Sequence, residues 1–532
     1  MAALLTTREK KLRYGAPWKV IAYFCIPTIL IMVIQGFYNI IDKTLALQFA
    51  SRDLAHDPWY IDQYNHLTNS NVSVVPLDQI KIYINVATQY ASQTYNLMIA
   101  FGVMAAMGCA MTFSYAFGKR DIKKMSELTG NGFSFTLLFS ILIAFLVFCL
   151  VFPGFHSVLI TSQMGSRYNP ITEQLAWQYS YPMLLAAPLA FISFYFTALL
   201  RNEGRANWVI IIMVSSLLIN AGAAILFMRV LHLKMQGAML GTIVSWLVQI
   251  IWGFIIVFGF KKSYSRFTWH DVWYLKWSNI WQFLKAGFPN FISGVSFVVF
   301  SYFSTMLVVQ LPNQPETGNG VSLLQELMSA YSPWTTLIYS AGIGISQGSR
   351  AILAYNYGAQ KYRRIWEILW RSSVLLITWF TLVLIILIAL GDKMMLVFAF
   401  PKQYVSQYRW WLVLSFCSYP LSSLSLIAFT FYQGINKSLL ASIANSLRAF
   451  IVALPMMGLG LLVSKLTGNP IYYFLFFGLV DFGCALVLIP MLAYSWYKYH
   501  NKIVDIPDHF DKEASVKTTA KKPEPVKKYQ HF

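Results

Sequence analysis

Twelve apolar runs follow one another along the chain and are separated by polar segments. Each run contains roughly 20 residues or more, the length that a helix needs to cross the hydrocarbon core of a bilayer. The runs lie at 18–48, 83–117, 131–155, 176–200, 207–229, 236–260, 280–310, 324–357, 370–391, 410–433, 438–464 and 471–497. The pattern predicts an all-α polytopic membrane protein with twelve transmembrane helices.

Composition and charge support a membrane location. Of the 532 residues, 57% are hydrophobic and only 12% are charged, about half the charged fraction of a soluble domain. The formal net charge of +20 is unevenly distributed. Roughly three times as many Lys and Arg residues fall on the side of the N-terminus as on the other side, which is the bias of cytoplasmic loops. We therefore expect both termini in the cytoplasm, a plasma-membrane location, contact with membrane lipids and no nucleic-acid partner.

The chain contains an internal repeat. A shift of 240 residues places Gly102 on Gly342, Gly108 on Gly348, Tyr115 on Tyr355 and Gly118 on Gly358. Prolines also correspond between the halves, Pro27 with Pro289 and Pro182 with Pro420. Since both halves begin on the same side of the membrane, they are parallel repeats, an arrangement known among secondary transporters.

The repeat and the composition predict five segments. They are a cytoplasmic N-terminal segment at 1–17, a six-helix lobe at 18–260, an amphipathic interfacial linker at 261–279, a second six-helix lobe at 280–498 and a disordered cytoplasmic tail at 499–532. The linker is basic and rich in Trp, as expected at a membrane interface. The prolines Pro27, Pro182, Pro289 and Pro420 are candidate hinges, with static kinks as the alternative.

Several classes of protein are disfavoured. The chain has no phosphate-binding G-x-x-x-x-G-K-[ST] loop for an ATP-driven pump. Its eight His residues lie in loops, helix ends or the tail, which leaves a membrane-embedded enzyme without its usual base. The five Cys residues lie in apolar runs without metal-binding spacing. We expect no enzymatic activity, no metal and no cofactor.

Asp42 is the principal candidate for function, because an acidic residue at membrane depth is costly and rare. It belongs to one face of the first predicted helix, formed by Pro27, Ile31, Gln35, Tyr38 and Asp42 at steps of three or four. Gln35 and Tyr38 can donate hydrogen bonds to the carboxylate, while burial would raise the pKa of Asp42 and make it a candidate proton carrier. The alternative is a structural carboxylate paired with a neighbouring helix. Lys43 points about 100° away and is not its expected partner.

Further motifs make the chain resemble the multidrug and toxic compound extrusion (MATE) transporters. The resemblance covers about residues 20–495. It rests on the order and spacing of Pro27 and Asp42, Tyr115–Gly118, Tyr355–Gly358, Leu200–Gly204, Leu218–Asn220 and Gln236–Thr242.

The resemblance implies two six-helix bundles that form a V around a central cavity. It implies export of organic cations or amphipathic drugs in exchange for inward H⁺ or Na⁺, by a protein that we expect to be a monomer. In one branch of the family, the ion is bound by residues that match Asp42, Asn220 and Thr242, but a second acid of that set is replaced here by Ala224. The coupling ion is therefore left open, and uncoupled export is an alternative.

The second half carries three further charged residues in apolar runs. Asp481 and Arg448 form either an ion pair between consecutive helices or part of a substrate cavity. Arg350 belongs either to that cavity or to a helix end, where its side chain would reach the cytoplasmic interface. The aromatic residues Phe37, Tyr38, Phe300 and Tyr302 are candidates for the cavity wall, with lipid-facing packing as the alternative.

Two rival functions follow from these residues. A lipid-linked saccharide or lipid flippase of the same superfamily would need a cationic cavity, for which Arg350 and Arg448 are candidates. A membrane scaffold or enzyme without transport activity is the rival from another class.

Overall fold

A computed structural model provides the three-dimensional structure of the chain. It describes residues 12, 14–152, 159–164, 168–259, 263–313, 322–398 and 400–500. The predicted tail at 499–532 lies outside this part of the chain except for its first two residues. Most of the predicted N-terminal segment at 1–17 also lies outside it.

The first half contains six long helices. Helix α1 covers Pro17–Leu45 and continues through a π-helical turn, Ala46–Ala50, to Ala55. The other helices are α2, Leu77–Lys119; α3, Ile122–Val151; α4, in two parts, Pro170–Leu185 and Ala187–Asn202; α5, Ala206–Ile225; and α6, Lys234–Gly259. The polar segment between α1 and α2 forms a short helix at Pro58–Thr68, capped by Asp57.

The second half repeats this arrangement. Its helices are α7, Trp277–Val309; α8, Leu323–Gly358; α9, Tyr362–Val397; α10, in two parts, Val405–Ser415 and Tyr419–Gly434; α11, from Ser438 to Thr467 through a π-helical segment; and α12, in two parts, Ile471–Gly478 and Val480–His500. The all-α prediction is confirmed, and each of the twelve apolar runs corresponds to one helical element.

The number of spans depends on two helices. Within the described residues, ten helices are long and apolar enough to cross a membrane, and α4 makes eleven if its two parts count as one span bent by 62°. Helix α8 does not belong to this set. Its sequence includes Gln325, Glu326, Gln347 and Arg350, which lower its apolar character. The count of twelve is therefore approximate.

The proline positions differ in their local structure. Pro182 lies within the first part of α4, shortly before the bend. Pro420 is the second residue of the second part of α10. Pro27 and Pro289 instead lie inside helices that continue past them. The helices are thus broken near one pair of matched prolines and unbroken at the other, and the role of all four as hinges stays a prediction.

The two halves meet through paired helices, α2 against α7 and α1 against α8. Glycines allow the backbones to approach. A Cβ atom at Gly108 of α2 would lie 2.1 Å from the carbonyl oxygen of Phe283 in α7, and one at Gly348 of α8 would lie 2.9 Å from Cα of Cys25 in α1. Since Gly108 and Gly348 correspond in the sequence repeat, these two contacts are equivalents. Small residues serve close packing of membrane helices in this way.

A third pair of repeated glycines meets between the halves. A Cβ atom at Gly118, at the end of α2, would lie 3.2 Å from Cα of Gly358, at the end of α8. Two residues related by the repeat contact each other only near the axis that relates the halves. We call the face of the protein that carries these helix ends, with the loops at 119–121 and 359–361, the basic face.

We expect Gly108→Ala to lower the stability of the protein. Its methyl group has no room against the backbone of α7, and overpacking of this kind costs about 1 to 3 kcal/mol. Gly222→Ala is the matched control, because nothing lies within 4 Å of a Cβ atom there and Ala favours a helix. Thermal unfolding of the purified variants should show a loss for Gly108→Ala alone. Equal unfolding temperatures would contradict the close contact of α2 and α7.

The predicted linker contains a short helix at Trp269–Trp273, and α7 begins at Trp277, three residues earlier than predicted. Asp271 fastens this segment to α3: its carboxylate accepts hydrogen bonds from Ser126 at 2.9 Å and from the Thr268 hydroxyl at 2.7 Å. Partial burial opposes ionisation, but these hydrogen bonds outweigh it and hold the pKa of Asp271 below its usual value. The contribution of this carboxylate to the attachment is therefore present at neutral pH and is lost as the pH falls through that lowered pKa. The hydrogen bonds from Asn131 to the backbone oxygens of Asp271 and Tyr274 do not depend on it.

Candidate functional site

Asp42 lies inside the first half, where α1, α5 and α6 meet. Its side chain is buried, and one carboxylate oxygen, Oδ2, accepts a hydrogen bond from the Thr242 hydroxyl at 3.0 Å. Asn220 Nδ2 donates in turn to Thr242 Oγ1 at 3.1 Å. The other carboxylate oxygen, Oδ1, has no hydrogen-bond partner among the described residues. The structure therefore brings Asp42, Asn220 and Thr242 into one cluster and leaves one oxygen of the acid open to a proton or a cation.

Tyr38 and Gln35 do not bind the Asp42 carboxylate, so that part of the prediction is wrong. The Tyr38 hydroxyl lies 2.6 Å from Ser216 Oγ, which also accepts a hydrogen bond from Gln249 at 3.2 Å. Gln35 lies half-buried on the wall of a cavity. Tyr38 lies about one turn of α1 before Asp42, but its hydroxyl faces Ser216 of α5 and not the Asp42 carboxylate.

Ser216 and Gln249 extend the polar cluster and were missed by sequence reasoning. The spacing of both residues from Asn220 and Thr242 in the sequence could have indicated them. Ser216 precedes Asn220 by four residues in α5, and Gln249 follows Thr242 by seven in α6, which places each pair on one face of its helix. Both residues are buried.

Ala224, which stands where the family resemblance leads us to expect an acid, lies at a close contact between α5 and α6. Ala224 is fully buried, and a Cβ atom at Gly241 would lie 2.9 Å from the Cβ atom of Ala224. Helices α5 and α6 thus approach closely at this point. A larger side chain at position 224 would require the two helices to separate.

A central cavity of about 370 Å³ lies between the two halves. The cluster in the first half contributes Tyr38, Thr242 and Gln249 to its wall, so that the hydroxyl group of Thr242 connects the cavity wall to Asp42. Of the candidate aromatics, Tyr38 and Phe300 line the cavity. Phe37 is exposed on the outside, and the Tyr302 hydroxyl donates to Ser162 at 2.8 Å.

Arg350 lies in the wall of this cavity and does not reach an interface. Its side chain is 1% exposed, and its guanidinium donates to Asn290 Oδ1 at 2.9 Å, to the backbone oxygen of Ser346 at 3.3 Å and to Gln433 Oε1. It also lies 4.3 Å from the ring centre of Phe429. All of these partners are neutral.

Arg448 and Asp481 form the predicted ion pair between α11 and α12. Arg448 Nε lies 2.7 Å from Asp481 Oδ1, and Nη2 lies 3.3 Å from Oδ2. The Arg448 guanidinium also lies 5.0 Å from the ring centre of Phe300, and the residue lines the cavity. Arg448 thus belongs both to an ion pair and to the cavity wall, so that the structural pair and the cavity site are not exclusive alternatives.

A third arginine, Arg201 at the end of α4, also lines the cavity. Sequence reasoning placed it in a loop, although it belongs to one of the family-like motifs, Leu200–Gly204. The described wall of the cavity therefore contains three arginines, Arg201, Arg350 and Arg448, and no acidic side chain. Among the described residues, no group of three His, Cys, Asp or Glu side chains is suited to a metal ion.

Contacts between the halves lie on both sides of the cavity. Toward the side opposite the basic face, Gln89 donates to Thr305 at 3.0 Å and Gln93 donates to Ser301 at 2.7 Å, which joins α2 to α7. On the same side, Lys43 donates to the backbone oxygen of Ser329 at 3.0 Å and, as expected, does not pair with Asp42. Toward the basic face, the Tyr115 hydroxyl donates to the Gln433 backbone at 3.0 Å.

Comparisons with known proteins agree with this architecture. The MatE family model matches residues 86–226 and 326–459, together more than half of the chain. An uncharacterized protein of Mycoplasmoides gallisepticum is 21% identical over 393 residues, which cover 66% of this chain and 67% of that protein. The chain is also similar to a crystal structure of MATE in complex with MaL6, with a TM-score of 0.72, 16% identity, and 93% of this chain and 99% of that chain covered.

A second solved structure is similar to the same extent. It is a transporter of the MOP superfamily from Pyrococcus furiosus, described by a reversed polarity of its binding pocket that suggests a different function. Its TM-score is 0.71 at 16% identity, with 93% of this chain and 98% of that chain covered. At such identities the likeness concerns the fold.

The described helices and the central cavity are those of a polytopic membrane protein, and the family whose model the chain matches consists of transporters rather than enzymes. The chain belongs to the MatE family of transporters, as its motifs indicated.

Proposed function

We propose that the chain is a secondary active transporter that exports amphipathic molecules across the plasma membrane by alternating access, with Asp42 as the binding site of an inward-moving H⁺ or Na⁺. The observation that carries the proposal is the hydrogen bond from Thr242 to Asp42. It links a buried acid to the wall of the substrate cavity, so that occupation of the acid and the shape of the cavity affect each other. Both termini would then lie in the cytoplasm, on the basic face.

The charge of the cavity bears on the substrate. Organic cations were part of the expectation, but a cavity whose described wall carries three arginines and no acid repels them. Amphipathic substrates that are neutral or anionic fit better, since Met, Phe and Trp side chains supply apolar surface beside the arginines. The same observation favours a second candidate function, a lipid or lipid-linked saccharide flippase.

Accumulation in living cells tests the proposal. Drug-sensitive cells that express the chain should accumulate less of a panel of fluorescent amphipathic compounds than cells with an empty vector. Collapse of the H⁺ gradient or of the Na⁺ gradient, each applied separately, should restore accumulation for whichever ion is coupled. Accumulation that is unchanged by expression of the chain, for amphipathic compounds and labelled lipids alike, would contradict the proposal.

The Thr242 hydroxyl offers a finer test. We expect Thr242→Val to weaken ion-driven export about tenfold or more, because the variant lacks the hydroxyl that bonds to Asp42, and a hydrogen bond to a charged group contributes about 1.5 to 3 kcal/mol. Thr242→Ser keeps the hydroxyl and should retain most of the activity. Initial export rates in proteoliposomes measure both variants. Equal activity of the Val and Ser variants would show that this hydrogen bond has no role.

A further inference from the structure

Two of the three cavity arginines have no acidic partner in the part of the chain that the structure describes. Arg448 is compensated by Asp481. Arg201 and Arg350, by contrast, both have their long side chains buried in the protein, and an arginine stays charged in such surroundings. A buried charge without a counter-charge is expensive, so this pair calls for a specific explanation.

The contacts of Arg201 are unusually poor. Its Nη2 donates to the sulfur of Met107 at 3.4 Å, a weak acceptor, and its buried Nε has no partner among the described residues. The nearest acid along the chain, Glu203, lies 2.9 Å from Arg205 and also accepts hydrogen bonds from Ser263 and Ser265. These contacts of the Glu203 carboxylate are therefore with residues other than Arg201.

Arg350 is held in place but not neutralised. Its Nη1 and Nε donate to the neutral oxygens of Asn290, Gln433 and Ser346, while Nη2 donates to none of the described residues. Arg201 and Arg350 line the same cavity, one from each half, and two like charges in such a place repel each other. A single anion between them would remove this repulsion and satisfy the open donors.

A second cavity, whose charged side chains are mostly basic, lies at the basic face. It has a volume of about 630 Å³ and is lined by Lys119, Lys124 and Lys285, with Asp121 as its acid. Tyr115, which also lines this second cavity, donates to the backbone of Gln433, whose side chain binds Arg350. This cavity thus presents basic side chains to an anion at the basic face, and Tyr115 connects its wall to a residue that holds Arg350.

We propose that Arg201 and Arg350 form the binding site for a carboxylate or phosphate group of an amphipathic ligand in the central cavity. This inference deepens the proposed function, because it names the substrate class of the same cavity. Nη2 of Arg350 and Nε of Arg201, which have no acceptor among the described residues, can donate to the oxygens of such a group, and the apolar wall can take the rest of the ligand. The acid group can belong to a soluble compound or to a lipid headgroup.

A binding measurement without any ion gradient tests this site separately from transport. The full chain in nanodiscs of neutral phosphatidylcholine is titrated with fluorescent short-chain phosphatidic acid, with the corresponding fluorescent diacylglycerol and with 4-methylumbelliferyl phosphate. We expect at least one phosphate probe to bind tenfold or more tightly than the uncharged lipid. Binding of the lipid probe alone identifies a headgroup, and binding of the soluble probe identifies a soluble amphipathic anion; both support the site.

Variants connect the binding to the two arginines. Arg201→Gln and Arg350→Gln should each weaken the favoured phosphate probe about tenfold or more, whereas Arg229→Gln, an exposed arginine outside the cavity, should bind as the parent does. Arg201→Gln should also raise the thermal stability of the ligand-free protein, since it removes an uncompensated charge; a purely structural arginine would give the opposite sign. Phosphate probes that bind no more tightly than diacylglycerol, or wild-type binding by Arg201→Gln, would overturn the site even if transport of other compounds is observed.

Discussion

Asp42→Asn is expected to abolish gradient-driven export while the protein still folds. The amide keeps the size of the side chain and can accept the hydrogen bond from Thr242, but it cannot exchange a proton or balance a bound cation. A potential of 100 mV supplies about 2.3 kcal/mol per charge, which corresponds to roughly a fiftyfold accumulation ratio. We expect the variant to lose this ratio and to carry substrate only down its own gradient.

Proteoliposomes with an imposed H⁺ or Na⁺ gradient measure this effect. Asp78→Asn is the matched control, because Asp78 is a largely exposed acid at the start of α2. That variant should accumulate substrate like the parent. Export by the Asp42→Asn variant at the parental rate and to the parental ratio would remove Asp42 from the mechanism.

The second large effect is expected at the pair formed by Arg448 and Asp481. Asp481 is 2% exposed, so that removal of either partner leaves a charge in a mostly buried place. Loss of one member of a buried ion pair costs about 3 to 5 kcal/mol. We expect Asp481→Asn and Arg448→Gln to lower the unfolding temperature and the yield of monodisperse protein.

A charge swap and a second pair serve as controls. The double variant with Arg448→Asp and Asp481→Arg should regain part of the lost stability. Arg409 and Asp392 form a more exposed pair at 2.9 Å, with side chains 29% and 42% exposed. Arg409→Gln should therefore cost about 1 kcal/mol or less. Single variants of Arg448 and Asp481 that unfold like the parent would show that the pair adds no stability.

Much of the fold was predictable because the bilayer constrains the chain so strongly. A run of roughly 20 apolar residues has few alternatives to a helix in a membrane, and each predicted run corresponds to one helical element, of which ten or eleven among the described residues are long and apolar enough to span. The breaks were harder to predict. Apolar runs do not show where a helix bends, as between Leu185 and Ala187, and they do not show that the polar segment after α1 holds a helix at Pro58–Thr68.

The cluster around Asp42 was predictable in its members but not in its bonds. Helical spacing and family-like motifs pointed to Asp42, Asn220 and Thr242, which lie together. The hydrogen bonds depend on how α1, α5 and α6 are rotated against each other, and the spacing within one helix does not contain that information. Tyr38 therefore faces Ser216 instead of the acid.

The charge of the central cavity was the least predictable feature. Arg201 sits where α4 ends, and a basic residue at a helix end normally indicates membrane topology. Only the packing of α4 against the other helices places it on the wall of the cavity that Arg350 of the opposite half also lines. The sequence alone indicates Arg350 and Arg448 as cavity candidates, whereas the place of Arg201 depends on contacts between helices, which the spacing within one helix does not contain.

Accessibility of the cavity from the two faces tests the central claim of alternating access most directly. Ser293 lines the cavity, and Ser293→Cys can be labelled with a membrane-impermeant maleimide applied to one face at a time, with the parent chain as the control for its native cysteines. The account predicts labelling from either face, with a ratio that an imposed H⁺ or Na⁺ gradient shifts and that Asp42→Asn makes insensitive to the gradient. Labelling from one face only, under every gradient, would contradict it.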